Sequence, residues 1–478
     1  MYCFGENKFD LKKVKYMTNI NKDKYIQYIA NKKIAILGYG INNRKLVDWL
    51  LRYKVKDITI LDKSKNIKDK KNNVKFELGE NYLDHLNKFQ IIFRTPGIPY
   101  LHPKIQLARQ SGVEISSQTN LFFKLCPGKI IGITGTKGKG TTATLVYNML
   151  KKQSINSRRK FNAYLAGNMG IDPFEYLDDI KSCDWVVMEL SSFQLQDMDI
   201  SPHVAVILNI TSDHLDYHKN NQEYIKAKSN IARYQRESDY LITCRDSLIT
   251  SRLTGLSLSN HKYYFSTANK VNMGTYVDWK NMSIIYKKDR EEEIIKISQI
   301  KLIGTHNLEN VCASVTAAKI ASVNNQYIRF VLESFSGNEH RLEFVDEVDG
   351  IGYYNDSAST NPDTTIAAIK SFDKPIVLIA GGSDKGLKFD GLKKVLDTLH
   401  IKKLILMGDT ASVIGKMAHK DINIVIVNSM KQAIDRARRD LDDGDVVLLS
   451  PASASFGMFK NYQDRGKQFK KYIRLIRK

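Results

Sequence analysis

Short apolar runs recur along the chain, and many stop at a glycine, a carboxylate or a hydroxyl residue. Ile34–Leu37, Ile58–Leu61, Ile130–Ile133, Trp185–Met188, Val204–Leu208, Ile376–Ala380 and Val446–Leu449 are of this kind. They are rich in Ile and Val and lack polar alternation, as strands buried on both faces do. Between them lie stretches with helical spacing, such as Leu145, Val146 and Met149. Strand and helix patterns that alternate in this way predict an α/β protein with mostly parallel sheets. Parallel sheets bind ligands beyond the carboxyl ends of their strands, so the residues that close each run carry the chemistry.

The run at Ile130–Ile133 leads into Gly135, Thr136, Lys137, Gly138, Lys139, Gly140 and Thr141, and then into a helical pattern. Strand, glycine turn, lysine and helix start together predict a cradle for a nucleotide triphosphate. Glycines let backbone N–H groups approach phosphate oxygens, the helix start adds positive potential, and Lys139 adds a mobile charge. The loop departs from the strict phosphate-loop pattern. Ile133 stands where that pattern has its first glycine, and Gly140 stands where a hydroxyl residue should follow the lysine, which leaves Thr141 as the nearest hydroxyl.

Upstream, Ile34–Leu37 ends at Gly38 and Gly40, a helix pattern follows from Arg44 to Tyr53, and Ile58–Leu61 ends at Asp62. This predicts the opening βαβ of a Rossmann-like sheet. The third fingerprint glycine is replaced by Asn43, which argues against a dinucleotide cofactor but not against some other nucleotide. A further strand at Ile91–Phe93 turns at Arg94, Thr95, Pro96 and Gly97. Downstream, the run 185–188 ends at Glu189, a position suited to holding magnesium in an ATPase. The run 204–208 is followed by Asp213, His214, Asp216 and His218. Lys228 reads as a solvated helix lysine, and Asn307 and Asn310 as an amide pair on one helix face, suited to an adenine edge or to capping. Residues 287–293 read as a hairpin tip. In the last third, strands lead into Asn355–Pro362, Gly381–Gly386 and Pro451–Phe456, polar loops that together predict a ligand face.

Length and charge add little to this. A chain of 478 residues suits about three domains. The net charge of +22 comes from 73 basic and 51 acidic residues spread along the whole chain, without a basic run interleaved with aromatics. It reads as a solvated surface rather than a nucleic-acid interface. Five scattered cysteines in no metal spacing, no membrane-length apolar run and no secretion signal predict a cytoplasmic protein with reduced thiols. Residues 1–30 read as a polar extension with one short helix.

From about Lys33 to Phe469 the chain resembles the Mur ligases, the ATP-dependent amide-forming enzymes of peptidoglycan synthesis. The matching strings are GITGTKGKGTT, GNMG, MELSSFQL, LNITSDHLDYH, GTHNLEN, HRLE, NDSASTN, AGGSDKG and SPASASFGMFKNYQDRG. ELSSFQL and SPASAS are similar to the D-glutamate-adding branch. The alternatives are another Mur-family ligase, a folylpolyglutamate-synthase-like ligase, which fits these strings less well, and a catalytically impaired nucleotide-binding homologue.

The resemblance implies a Rossmann-like UDP-binding domain at 31–128, a central P-loop-type ATPase domain at 129–336 and a Rossmann-like amino-acid domain at 337–478. It implies that UDP-N-acetylmuramoyl-L-alanine meets Gly38, Asn42, Asp62, Thr95, Gly97, Asn168, Ser191 and Gln194. It implies that ATP meets residues 135–141 with Asn307, Asn310, Arg341 and Asp356. Two Mg²⁺ ions would use Glu189, His214 and Thr141, with Lys228 as the lysine that the family carbamylates, which reverses the reading of Lys228 as solvated. Lys139, His214 and Lys228 would be catalytic, and D-glutamate would meet Thr360, Lys385, Ser455 and Tyr462. Ala358 departs from the family's usual lysine; retained activity is expected because Lys139, Lys385 and the metal-binding acids remain. The enzyme is expected to be a monomer acting on small molecules, without nucleic acid or membrane, and to close its domains over its substrates.

Overall fold

The computed structural model describes residues 22–476 apart from 68–70, 72, 157–159, 169–170, 212, 214–216, 303, 305, 385–386, 388 and 399. His214 and Lys385 therefore lie outside the described residues. The chain divides into two compact units, Met1–Gln299 with Leu308–Leu332, and Ile300–Asn307 with Glu333–Lys478.

The first unit holds two sheets. β1 (Ile34–Leu37), β2 (Ile58–Asp62), β3 (Lys75–Leu78), β4 (Ile91–Arg94) and β5 (Glu114–Ser117) form a parallel sheet in the order β3-β2-β1-β4-β5. The βαβ opening is present, with a helix over Ile41–Arg52. Asn43 explains how the turn closes without a third glycine: its buried amide donates to the Gly38 carbonyl at 2.7 Å.

The second sheet comprises β6 (Lys129–Thr134), β7 (Ala163–Gly167), β8 (Trp185–Glu189), β9 (Val204–Ile207), β10 (Tyr240–Cys244), β11 (His261–Ser266), β12 (Gly274–Asp278), β13 (Ser283–Lys287) and β14 (Glu291–Lys296). Its order is β14-β13-β12-β11-β10-β9-β6-β8-β7, parallel from β7 to β12 and antiparallel beyond. β13 and β14 form the expected hairpin. β6 lies between β8 and β9, so the chain leaves it in opposite directions and opens a crevice at its carboxyl end. The helix Lys139–Asn156 begins there and buries Leu145, Val146 and Met149.

The second unit holds β15 (Glu343–Val348), β16 (Ile351–Asn355), β17 (Ile376–Gly381), β18 (Ile401–Met407), β19 (Asn423–Ile426) and β20 (Val446–Leu449). The order is β15-β16-β20-β17-β18-β19, and β15 alone runs antiparallel. The three strands read from the sequence, β16, β20 and β17, are adjacent in the middle. Apolar layers cover both faces of this sheet, with Leu378, Leu404 and Leu448 on one and Val377, Ile405 and Val447 on the other.

Candidate functional site

The glycine loop is built around two close approaches. At Gly135 a Cβ would lie 2.6 Å from Leu208 Cβ, and at Gly138 (φ +82°) it would lie 2.0 Å from Asn310 Oδ1. Only glycine fits either place, and the loop is thereby pressed between the end of β9 and the helix His306–Ile320. Lys139 Nζ donates to the Thr136 carbonyl at 2.9 Å. Thr136 Oγ1 lies 3.0 Å from Tyr224 Oη and accepts from Thr211 N at 2.9 Å. Thr142 Oγ1 donates to Asn310 Oδ1 at 3.3 Å. Gly140 is buried, so the hydroxyl-bearing side chain next along the helix is Thr141, which is half-buried.

Glu189 closes β8 beside this loop and is buried. Its Oε1 accepts from Asn168 Nδ2 at 3.2 Å, while Oε2 is buried without a hydrogen-bond partner among the described residues. A buried carboxylate oxygen without a donor is costly unless something positive meets it. Lys228 corrects the solvated-helix reading. It lies on the helix Asn221–Arg233, is 2 % exposed, and donates to Gly135 O at 2.8 Å and Thr134 Oγ1 at 3.3 Å. Burial pushes its amine well below the usual lysine range, with the charge of Lys139 acting in the same sense and Asp213 and Glu189 opposing. These four charged groups therefore share one neighbourhood. Glu189 brings an oxygen without a hydrogen-bond partner among the described residues, Asp213 a second carboxylate and Lys228 an amine held toward its neutral form, and among the described residues no group of three His, Cys, Asp or Glu side chains is placed to hold a metal ion.

A cavity of ≈ 170 Å³ lies beside Glu189 and joins Asn42, Asn168 and Gln194, three of the residues singled out in the sequence. Gln118, Thr119 and Asp172 line it too, and the sequence did not mark them. Gln118 Nε2 donates to Asn42 O at 2.7 Å and to the two Asp172 carboxylate oxygens at 2.9 and 2.8 Å. Burial raises the Asp172 carboxyl above its ordinary value. Ser191 does not line this cavity; it caps the helix Ser192–Leu195 in a capping box with Gln194. At the first sheet's edge Gly38 approaches Thr95, where a Cβ would lie 2.4 Å from Thr95 Cγ2. Asp62 accepts from Tyr39 N at 2.7 Å and Ser64 N at 2.8 Å, which orders the turn, and apart from its chain neighbours no heavy atom of the described residues lies within 4 Å of a Cβ built on Gly97.

The polar loops of the second unit meet around a buried arginine. Arg465 donates to Ser357 Oγ at 3.0 Å, Ser357 O at 2.9 Å and Ser453 O at 3.1 Å, and burial lowers it to about 10. Ser357 Oγ donates to Tyr462 O at 2.8 Å, and Ser383 N to Ala454 O at 2.9 Å. The segments bearing Thr360, Ser455 and Tyr462 are thus tied to Ser357 and Ser453, two serines of the polar loops read from the sequence. Ser450 Oγ donates to Asp356 Oδ2 at 2.7 Å, and burial raises that carboxyl to about 6. Arg341 is exposed. Asn307 and Asn310 are both buried on their helix.

Family models match three segments: "Mur ligase MurD-like, N-terminal domain" over residues 32–117, "Mur ligase middle domain" over 133–318, and "Mur ligase, glutamate ligase domain" over 340–453. Two relatives are both named UDP-N-acetylmuramoylalanine--D-glutamate ligase. The protein of Acetivibrio thermocellus is 41% identical over 96% of this chain and 99% of its own length. That of Clostridium kluyveri is 42% identical over 95% and 99%. Among solved structures, the MurF ligase of Thermotoga maritima in complex with ADP shares the fold, with TM-score 0.56 and 17% identity over 94% of this chain and 97% of that one.

Proposed function

The chain belongs to the Mur ligase family, and from that premise we propose how its residues perform the reaction. It is an ATP-dependent ligase that adds D-glutamate to UDP-N-acetylmuramoyl-L-alanine in peptidoglycan precursor synthesis. A carboxylate is a poor electrophile. ATP therefore phosphorylates the L-alanyl carboxylate to an acyl phosphate, the amine of D-glutamate attacks it, and phosphate leaves from the tetrahedral intermediate.

In our reading the N–H groups of residues 135–141 and the Lys139 amine hold the triphosphate and offset charge on the transferring group. Glu189, His214, Asp213 and a carbamate on Lys228 would hold Mg²⁺, which would neutralise phosphate oxygens when bound. The lowered Lys228 amine supports the carbamate, because the neutral amine is the form that combines with carbon dioxide. The single observation that carries this reading is Glu189 Oε2, buried beside the glycine loop without a hydrogen-bond partner among the described residues. Asn42, Asn168 and Gln194, with Gln118, Thr119 and Asp172, would seat the muramoyl part. Gly38, Asp62, Thr95 and Gly97 would meet the uridine diphosphate. Asn307, Asn310, Arg341 and Asp356 would meet the nucleoside of ATP, and Thr360, Lys385, Ser455 and Tyr462 the D-glutamate. We assign residues 31–128, 129–336 and 337–478 to these three binding tasks, in a cytoplasmic monomer. No helix among the described residues is long and apolar enough to cross a membrane.

The test is phosphate release from ATP with UDP-N-acetylmuramoyl-L-alanine, comparing D-glutamate, L-glutamate, D-aspartate and L-lysine. Release with D-glutamate alone is the expected result. Release with none of the four would favour a catalytically impaired homologue instead.

A further inference from the structure

We propose that His218 is a positioning residue, a buried strut that holds the segments bearing Glu189 and Lys228 in register. The proposal rests on the assignment of those two residues to the Mg²⁺ site.

The His218 side chain is fully buried. Its Nδ1 lies 2.5 Å from Glu223 Oε2, and its Nε2 lies 2.9 Å from Ser192 Oγ. A carboxylate only accepts, so the Nδ1–H donates to Glu223, and in the neutral ring Nε2 then accepts from the Ser192 hydroxyl. The two bonds leave opposite sides of one rigid ring, so together they set a fixed separation between their partners.

Those partners sit on the right elements. Ser192 opens the helix Ser192–Leu195, directly after the segment that closes β8 with Glu189. Glu223 lies in the first turn of the helix that carries Lys228, and its other oxygen accepts from Gln196 Nε2 at 2.7 Å. The His218 ring packs between Phe193, with centroids 5.5 Å apart, and Tyr224, at 5.3 Å. Tyr224 reaches on: its hydroxyl lies 3.0 Å from Thr136 Oγ1, and Lys228 Nζ lies 4.8 Å from its ring centroid. One imidazole thus connects both segments, and through Tyr224 the glycine loop.

Burying an imidazole, a carboxylate and a hydroxyl costs free energy that an apolar trio would not. Metal ligands tolerate only about ±0.2 Å of misplacement, and directional contacts behind them supply that accuracy. Apolar packing alone would leave the loop and the two helices free to slide.

The experiment compares the parent protein with His218→Ala, His218→Gln and Ser192→Ala. The readouts are Mn²⁺ affinity by electron paramagnetic resonance, thermal unfolding, and kcat and KM. Expected for His218→Ala is a folded protein whose Mn²⁺ affinity and kcat fall about 10- to 100-fold. Its KM for D-glutamate stays within about threefold, since none of the described residues assigned to D-glutamate bonds to His218 or its partners. Ser192→Ala shifts Mn²⁺ affinity the same way by less, and His218→Gln recovers part of the loss through its single amide. A folded His218→Ala variant with parental Mn²⁺ affinity overturns the proposal, whatever its melting temperature. If His218→Ala does not fold, parental Mn²⁺ affinity in Ser192→Ala overturns it equally. A parent protein that binds no Mn²⁺ would instead bring down the metal assignment beneath it, an outcome that the parent measurement alone reveals.

Discussion

The Lys228 amine donates to the carbonyl oxygen of Gly135 at 2.8 Å, so the lysine reaches the glycine loop through the protein interior. A surface lysine would be better solvated and would stay charged. This one gives up water for two acceptors and the company of Lys139. Substituting Lys228→Met should leave the fold intact, because the long apolar stem is kept. It should lower kcat by more than about 100-fold, exceeding the usual loss for residues behind a metal ligand. Phosphate release should rise with added bicarbonate in the parent and not in the variant.

Gly138 tests the loop independently of any metal. Alanine there would be strained by roughly 1–2 kcal/mol at positive φ, and its Cβ would collide with Asn310 Oδ1, 2.0 Å away. Gly138→Ala should weaken an ATP analogue by more than about tenfold, the equivalent of 1.4 kcal/mol. Adding Asn310→Ala should not restore full affinity, since it removes the collision but not the backbone strain. Fluorescence titration of the three proteins measures this. Parental affinity in the single variant would show that the loop does not need its observed geometry.

Arg94 and Asp197 form an ion pair at 2.9 Å with both side chains fully buried. Arg94 also donates to the carbonyls of Ile98 at 2.5 Å, Thr95 at 3.1 Å and Phe193 at 3.0 Å, so it binds the end of β4 to the helix after β8. Arg94→Ala strands the Asp197 carboxylate and should cost about 3–5 kcal/mol in urea unfolding. Arg94→Met with Asp197→Leu should recover most of that, because no buried charge remains. Equal losses in the single and double variants would place the cost in the lost carbonyl contacts instead.

What the sequence revealed follows from how local each signal is. Glycine turns, apolar runs and the carboxylates that end them are encoded in neighbouring residues, so β6 with the glycine loop and helix after it, Glu189 at the end of β8, and the three central strands of the last sheet could be read directly. Burial of Lys228 could not, because its surroundings come from Thr134 and Gly135, far away in sequence. Family resemblance, not spacing, recovered it. The pairing of Gln118 with Asp172 has no motif, since one side chain comes from a helix start after β5 and the other from a loop after β7. β15, β18 and β19 were also missed: the first is an exposed edge strand with mixed polarity, and Lys402 and Lys403 break the apolar run of the second.

Asp356 offers a prediction with a definite sign. Burial lifts its carboxyl from 3.8 to about 6, against donated hydrogen bonds and the nearby charge of Arg341. Between those two values the folded protein holds a proton that the unfolded chain has released. Stability from this group is therefore complete below the lower value and lost as pH rises through the higher one. Asp356→Asn keeps the side chain's size and cannot titrate. The melting temperature of the variant relative to the parent should climb between about pH 4 and pH 6 and then level off. A difference that stays flat across that window would mean that the carboxyl titrates normally. At neutral pH the variant should be the more stable protein, and in our reading also the less active one, because the charged carboxylate is what would meet the ribose of ATP. A buried carboxylate kept at a cost in stability is expected where function requires the charge.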